Sequence, residues 1–215
     1  MKKNLTEIVF ILDKSGSMAG LTSDTIGGFN SMLNKQKKEA GEAYVTTVLF
    51  NDNMEMVHDR VAIGDVKEMT ENDYFACGCT ALLDAVGETV DHISKIHKYA
   101  RPEDVPEHTI FIITTDGMEN ASHKYSADKV RKMISKMQTK HNWEFIFLGA
   151  NIDAVEAAAN IGIRKEKAVQ YCSDSVGTAV NYDCMAEAVT SIRKFGSLRP
   201  SWRKAADEDF KNRGK

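Results

Sequence analysis

The chain has 215 residues, of which 42% are hydrophobic and 27% are charged, and its formal net charge is −3. A chain of this length can bury a full core, and this composition excludes a disordered protein and gives no general attraction to nucleic acid. No apolar run reaches the roughly 20 residues that a membrane helix needs.

The first part of the chain alternates apolar runs with a helical pattern. "LTEIVFIL" predicts a buried strand, because Ile8 to Leu12 leave no polar face. "AYVTTVLFN" predicts a second strand, and "MEMVHDRVAI" predicts a third one that pairs with it in an antiparallel hairpin, with Asp52 in the turn. Between the first two strands, an apolar stripe at helical spacing consists of Ile26, Phe29, Met32 and Leu33.

The middle of the chain predicts helix, strand and helix again. "HTIFIITTD" is the strongest buried strand in the sequence, and Ser126 is placed to cap the helix that follows it. The stripe of the helix before this strand consists of Leu83, Val86, Val90, Ile93 and His97. The stripe of the helix after it consists of Val130, Ile134 and Met137.

The last part predicts the strand "WEFIFLGA", the short helix "DAVEAAANI", the weaker strand "KAVQYC" and one long helix. The stripe that buries the long helix consists of Val176, Val180, Met185, Ala188, Ile192 and Phe195. From Ser197 onward the chain is polar. We therefore expect one domain over residues 1–196 and a polar C-terminal helix or tail over 197–215.

Strands linked mainly by helices predict an α/β fold. We expect a doubly wound, mostly parallel central sheet with one antiparallel edge strand and helices on both faces. Ligands of such sheets lie beyond the carboxyl ends of the strands. Asp13 follows the first strand and Asp116 follows "IFIITT", so both carboxylates should lie at that edge.

The segment "DKSGSM" places Asp13, Ser15 and Ser17 in one turn, where Gly16 lets the backbone bend. Carboxylate and hydroxyl oxygens suit Mg²⁺, Mn²⁺ or Ca²⁺ far better than zinc or copper. An isolated pattern of this kind is more often a capped turn than a metal site, so other segments must support the interpretation.

Those segments carry a family resemblance. "DKSGSM" resembles the D-x-S-x-S element of von Willebrand factor A (vWA) domains, which build a metal-ion-dependent adhesion site (MIDAS) from three loops. "CGCTALLDAV" offers Thr80 as the second element, and "FIITTDGMEN" offers Asp116 and Gly117 as the third. The resemblance spans about residues 5–196. It implies the Rossmann-like vWA fold of a stand-alone, bacterial-type, intracellular member.

The resemblance also implies a ligand set. Ser15, Ser17 and Thr80 would reach the ion through their hydroxyl groups, with Asp13 and Asp116 close by and often acting through water. Mg²⁺ is the expected ion, with Mn²⁺ or Ca²⁺ as alternatives. Because neutral ligands leave much of the ion's charge uncompensated, an open coordination position would attract a carboxylate from a partner.

Other residues of these loops are expected at the rim of the site. Glu119 and Asn120 would either contact a partner or satisfy the backbone of their own loop. Cys77 and Cys79 stand where the family usually has glycine or serine, and a redox or zinc role lacks neighbouring partners at ligand spacing. The predicted partner-binding rim consists of Gly16, Met18, Cys79, Gly117, Glu119 and Asn120.

The leading functional hypothesis is a metal-dependent adaptor without catalysis, which binds an Asp or Glu of a partner protein. The resemblance points to partners such as ATPase chaperones and stress or metal-resistance complexes. The composition and the lack of a long apolar run predict neither nucleic acid nor a membrane as a partner. The alternatives are a Mg²⁺-dependent hydrolase or phosphoryl-transfer enzyme, for which no nucleotide loop is present, and a purely structural ion. With four cysteines and no secretory cleavage site, we expect a cytoplasmic protein.

Overall fold

The computed structural model describes residues 1–214, so Lys215, the last residue of the predicted polar tail, lies outside the described residues. The six strands are β1 (Lys2–Asp13), β2 (Glu42–Phe50), β3 (Met54–Ala62), β4 (Pro106–Thr115), β5 (Glu144–Gly149) and β6 (Ala168–Gln170). The six α-helices are α1 (Thr22–Lys37), α2 (Leu82–Tyr99), α3 (Ala127–His141), α4 (Ala154–Asn160), α5 (Ser175–Phe195) and α6 (Lys204–Arg213).

All six strands form one sheet in the order β3-β2-β1-β4-β5-β6. Every neighbouring pair is parallel except β2 with β3, which are antiparallel. This confirms the predicted doubly wound sheet with its antiparallel edge strand. The chain runs outward in one direction from β1 and in the other direction from β4. The switch point at which ligands bind in such folds therefore lies between the carboxyl ends of β1 and β4.

The sheet separates two apolar layers, because successive side chains of each buried strand point to opposite faces. Ile8, Phe10 and Leu12 of β1 pack with α1, α5 and α6 on one face. Val9 and Ile11 pack with α2, α3 and α4 on the other face. Both faces of the parallel strands are thus covered, and their carboxyl edge stays open for the loops.

The N-cap of α3 agrees with the sequence prediction, whereas the apolar stripe of α5 differs from it. Ser126 is the N-cap of α3, as predicted, and its side chain accepts a hydrogen bond from Lys129 N at 3.3 Å. The stripe of α5 is shorter than predicted, because Val176 and Phe195 at its two ends are exposed.

A buried ion pair at the amino end of β1 was not predicted. The carboxylate of Glu7 is fully buried and accepts hydrogen bonds from Arg60 Nε at 2.9 and 3.0 Å. His97 Nε2 lies 3.1 Å from the same carboxylate. Arg60 adopts a positive φ of 51°, a conformation that side chains other than glycine rarely adopt. The network ties the edge hairpin to β1 at the end of the sheet opposite the switch point.

The polar C-terminal segment contributes to the core. Trp202 is 2% exposed and Ala206 is 1% exposed, and both pack in the layer that contains α1 and α5. Arg213 pairs with Asp209 on α6 and with Asp174, which caps α5. The domain boundary after residue 196 remains a prediction. Among the described residues, no helix is both long and apolar enough to cross a membrane.

Replacing Trp202 with alanine tests how much this segment stabilises the fold. We expect the free energy of unfolding to fall by about 3–5 kcal/mol, because a large buried ring is lost and a cavity remains. Urea denaturation followed by far-UV circular dichroism measures it. Trp202→Phe, which keeps most of the apolar volume, should cost clearly less. A loss below about 1 kcal/mol for Trp202→Ala would show that the segment adds little to the core.

Candidate metal site

The switch point between β1 and β4 holds two buried carboxylates. Asp13 is the last residue of β1, and Asp116 follows the last residue of β4. Asp13 is 1% exposed and Asp116 is 2% exposed. Because β1 and β4 are adjacent and parallel, the two side chains meet at one edge of the sheet. The structure therefore brings together the first and last predicted ligands.

The turn after β1 is organised by the Asp13 side chain. Asp13 Oδ1 accepts a hydrogen bond from Ser15 N at 2.7 Å, which is the Asx-turn arrangement of an aspartate with the backbone two residues on. Asp13 Oδ2 accepts a hydrogen bond from Thr115 Oγ1 at 2.5 Å. This turn places Ser15 Oγ and Ser17 Oγ 3.1 Å apart. Ser15 is buried and Ser17 is exposed, so the pair leads from the interior to the surface.

The hydroxyl groups extend the cluster to Asp116. Ser17 Oγ donates a short hydrogen bond to Asp116 Oδ1, and Ser173 Oγ, in the loop before α5, lies 3.5 Å from Asp116 Oδ2. A Cβ placed on Gly117 would lie 3.2 Å from Thr80 Oγ1 and 3.6 Å from Ser17 Oγ. Gly117 therefore leaves room beside both hydroxyls. All five predicted ligand residues converge on this edge.

Thr80 is held in place by the loop after β4. Thr80 N donates to Asn120 Oδ1 at 2.9 Å, and Asn120 N donates to Thr80 O at 3.0 Å. This reciprocal pair joins the loop before α2 to the loop before α3. These two contacts hold the backbone of Thr80 in place.

The electrostatics of the cluster favour a bound cation. Burial raises the pKa of both Asp13 and Asp116, and the charge of Asp116 raises the pKa of Asp13 further, while nearby hydroxyl and amide donors oppose these shifts. Among residues 1–214, no lysine, arginine or histidine pairs with either carboxylate. Two carboxylates and three hydroxyls are hard oxygen donors, so the residues fit a hard divalent cation.

Residues outside the predicted set support the turn after β1. The Tyr74 hydroxyl donates to Asp13 O at 2.5 Å, and Gly16 N donates to Gly78 O at 3.0 Å. Gly78 has a φ of +79°, and a Cβ there would lie 1.9 Å from Asp52 Oδ2, so only glycine fits. Asp52 is therefore more than a hairpin residue. Its place after β2, at the same sheet edge, is the sequence signal that could have shown this.

The predicted rim residues near β1 differ in exposure. Gly16 and Cys79 are exposed, and Gly117 is partly exposed. Met18, in contrast, is 3% exposed and packs in the core with α1 and α5. The turn after β1 directs its side chain inward, so Met18 is not part of the exposed rim.

Glu119 and Asn120 are engaged within their own loop. The Glu119 carboxylate accepts hydrogen bonds from the backbone amides of Leu83, Ala121 and Ser122 at 2.8–3.0 Å. The first of these amides lies in the first turn of α2, where Asp84 N donates to Ser122 Oγ at 3.0 Å. Of the two roles predicted for these residues, the contacts favour satisfying the loop backbone.

Exposed apolar side chains, which were not predicted at this edge, lie around the polar cluster. Met118 is 74% exposed and Phe75 is 72% exposed. Together with Val155 and Val176 they form what we call the apolar rim, which includes four of the seven large exposed hydrophobic residues among residues 1–214. A cavity of about 470 Å³ opens beside the site and is lined by Leu82, Leu83, Gly117, Met118, Ile152 and Ile161, among others.

Comparison with known proteins yields structural matches only. No protein-family model matches the chain, and no curated protein does. The proximal thread matrix protein 1 (PTMP1) of the mussel byssus, in a structure with a zinc-occupied MIDAS motif, has a TM-score of 0.57 at 16% identity. That match covers 86% of this chain and 46% of PTMP1.

Two further solved structures are similar. The ArnB paralog VWA2 from Sulfolobus acidocaldarius has a TM-score of 0.54 at 17% identity, over 87% of this chain and 45% of VWA2. The manganese-loaded TRAP protein of Plasmodium vivax has a TM-score of 0.54 at 14% identity, over 83% of this chain and 72% of TRAP. The chain thus spans less than half the length of PTMP1 and VWA2. The chain has the fold of von Willebrand factor A domains.

Proposed function

We propose that this chain is a divalent-metal-dependent protein-binding module, in which the cation engages an acidic residue of a partner protein. The observation that carries the proposal is the convergence of five oxygen-bearing side chains at the switch point, two of them buried carboxylates that have no basic partner among residues 1–214. The proposed ligand set consists of Asp13, Ser15, Ser17, Thr80 and Asp116.

The residues of the chain hold the donors in place before any ion arrives. Asp13 fixes the turn that carries Ser15 and Ser17, and Asn120 fixes Thr80. Such preorganisation lowers the ordering cost of binding. When bound, the cation supplies positive charge and an open coordination position for a carboxylate oxygen.

We propose Mg²⁺ as the ion, with Mn²⁺ or Ca²⁺ as alternatives, because hydroxyl and carboxylate oxygens are the ligands these ions prefer. The similar structures contain zinc in PTMP1 and manganese in TRAP, which supports a divalent ion in general. The free thiols of all four cysteines support the expected cytoplasmic location.

The apolar rim supports a protein as the partner. Exposed apolar groups concentrated at one edge mark interaction surfaces. Phe75 lies in the loop before α2, which carries Thr80, and Met118 lies in the loop before α3, which carries Asp116. A partner would place its Asp or Glu at the centre and cover these side chains. ATPase chaperones and stress or metal-resistance complexes remain predicted partner classes.

The first test measures metal binding directly. We expect isothermal titration calorimetry with Mn²⁺ to give one site per chain, and Asp116→Ala to weaken its affinity at least about tenfold, because a buried anionic donor is lost. Asp128→Ala, which removes an exposed aspartate at the start of α3, is the matched control and should bind like the unmodified chain. Equal affinities for the two variants would contradict the proposed ligand set.

The second test measures partner capture from a lysate with Mg²⁺, with EDTA and with Asp116→Ala. Loss of the metal-mediated contact should weaken capture by about 2–5 kcal/mol, because the partner's carboxylate is then buried without its counter-charge. Met118→Ser should weaken capture, whereas Phe195→Ser, at the far end of α5, should not. Capture that is insensitive to both EDTA and Asp116→Ala would reject the proposal.

The same preparations test the enzymatic alternative. The hydrogen-bond partners of Asp13 and Asp116 are serines, a threonine and backbone groups, none of which is an obvious general base. We therefore expect no turnover of generic phosphoesters and esters with Mg²⁺. Turnover that Asp13→Ala abolishes would instead support the hydrolase.

A further inference from the structure

Two exposed cysteines beside the candidate site supply no metal ligand in the proposed function. Cys77 and Cys79 flank Gly78 in the loop before α2, and both are exposed with free thiols. The remaining cysteines differ from them, since Cys184 is buried and Cys172 is partly buried. Residues 77–79 are therefore the place where a solvent oxidant can reach two neighbouring thiols.

Both cysteines contact the same turn of the edge hairpin. Asn51 Nδ2 donates to Cys77 O at 3.0 Å and lies 3.5 Å from Cys77 Sγ. The next residue, Asp52, accepts a hydrogen bond from Cys79 N at 3.0 Å. Because Asn51 and Asp52 are adjacent, the two cysteines contact neighbouring residues of one turn.

The backbone geometry allows the thiols to be joined. Residues two apart are at most about 7.3 Å apart at their Cα atoms, and a disulfide requires about 4.4–6.8 Å. A bend at the intervening residue brings the separation into that range. Gly78 provides a bend, since its φ of +79° is one that glycine adopts without strain.

We propose that Cys77 and Cys79 form a reversible dithiol–disulfide pair that exchanges with small-molecule disulfides of the glutathione class. One cysteine thiolate attacks the small disulfide, forms a mixed disulfide and releases one small thiol. The second cysteine then attacks the protein sulfur of the mixed disulfide and releases the other small thiol. The two cysteine protons pass to the two released thiols, the cysteines are oxidised, and the small disulfide is reduced.

The pair is linked to the turn that carries the candidate metal ligands. Cys77 N donates to Lys14 O at 2.9 Å, and Gly16 N donates to Gly78 O at 3.0 Å. Thr80 follows Cys79 directly. Closing a disulfide ring through residues 77–79 changes the conformation of the backbone that makes these hydrogen bonds. We expect the disulfide to weaken metal binding, an expectation that rests on the proposed function.

The dithiol is tested without reference to metal. The reduced full chain is equilibrated with glutathione buffers of increasing oxidised fraction, quenched with an alkylating reagent, digested and analysed by mass spectrometry. We expect a peptide linked between Cys77 and Cys79 that has lost two hydrogen atoms, and that reverts in excess reduced glutathione. In the Cys79→Ser and Cys77→Ser variants, the reaction should stop at the mixed disulfide between the remaining cysteine and glutathione. The Cys172→Ser variant should form the 77–79 disulfide like the unmodified chain.

The absence of the 77–79 link, or its replacement by bonds between chains, would overturn the proposal. The coupling is tested by Mn²⁺ titration of the reduced and oxidised chain, with about a tenfold weaker affinity expected after oxidation. The Cys77→Ser, Cys79→Ser double variant should show the same affinity before and after treatment. If oxidation leaves the Mn²⁺ affinity unchanged, the proposed effect of the disulfide on metal binding is wrong. If even the reduced chain binds no Mn²⁺, the proposed function fails while the disulfide result stands.

Discussion

The structure of the candidate site depends on two carboxylates buried side by side where β1 and β4 separate. An ionised carboxylate in such a place is costly unless a positive charge compensates it. Asp13 receives only neutral donors, from Ser15 N and Thr115 Oγ1, and Asp116 receives the Ser17 hydroxyl. These hydrogen bonds lower the cost without cancelling the charge. A divalent cation is the simplest group that would cancel it at this position.

Hydrogen bonds within and between the surrounding loops hold the oxygen donors around the two carboxylates. The turn after β1 is held by Tyr74 and by the contact of Gly16 with Gly78, and the loop after β4 is joined to the start of α2 through Asn120 and Glu119. The rigid edges of the parallel strands carry all of these loops. The donors are thereby positioned by backbone contacts from several elements, as a preorganised site requires.

The features of the fold and of the site that could be predicted from the sequence are those encoded in short segments of it. The buried strands and the Ser126 cap follow from patterns within short segments, whereas the ligand set of the candidate site was implied by the resemblance of three separate segments to vWA domains. The inward position of Met18, the hydrogen bond from Cys79 N to Asp52 and the Glu7–Arg60 pair depend on contacts between residues distant in sequence. No periodicity encodes such contacts.

The apolar rim explains how a single carboxylate contact would become selective. A charge pair that stays in water contributes little, at most about 1 kcal/mol, because solvent screens it. Side chains such as Phe75 and Met118 would exclude that solvent when a partner covers them. The interaction at the centre then gains strength only if the partner's surface fits the rim. Affinity for the acidic residue would thus come from the metal, and discrimination among partners would come from the apolar side chains around it.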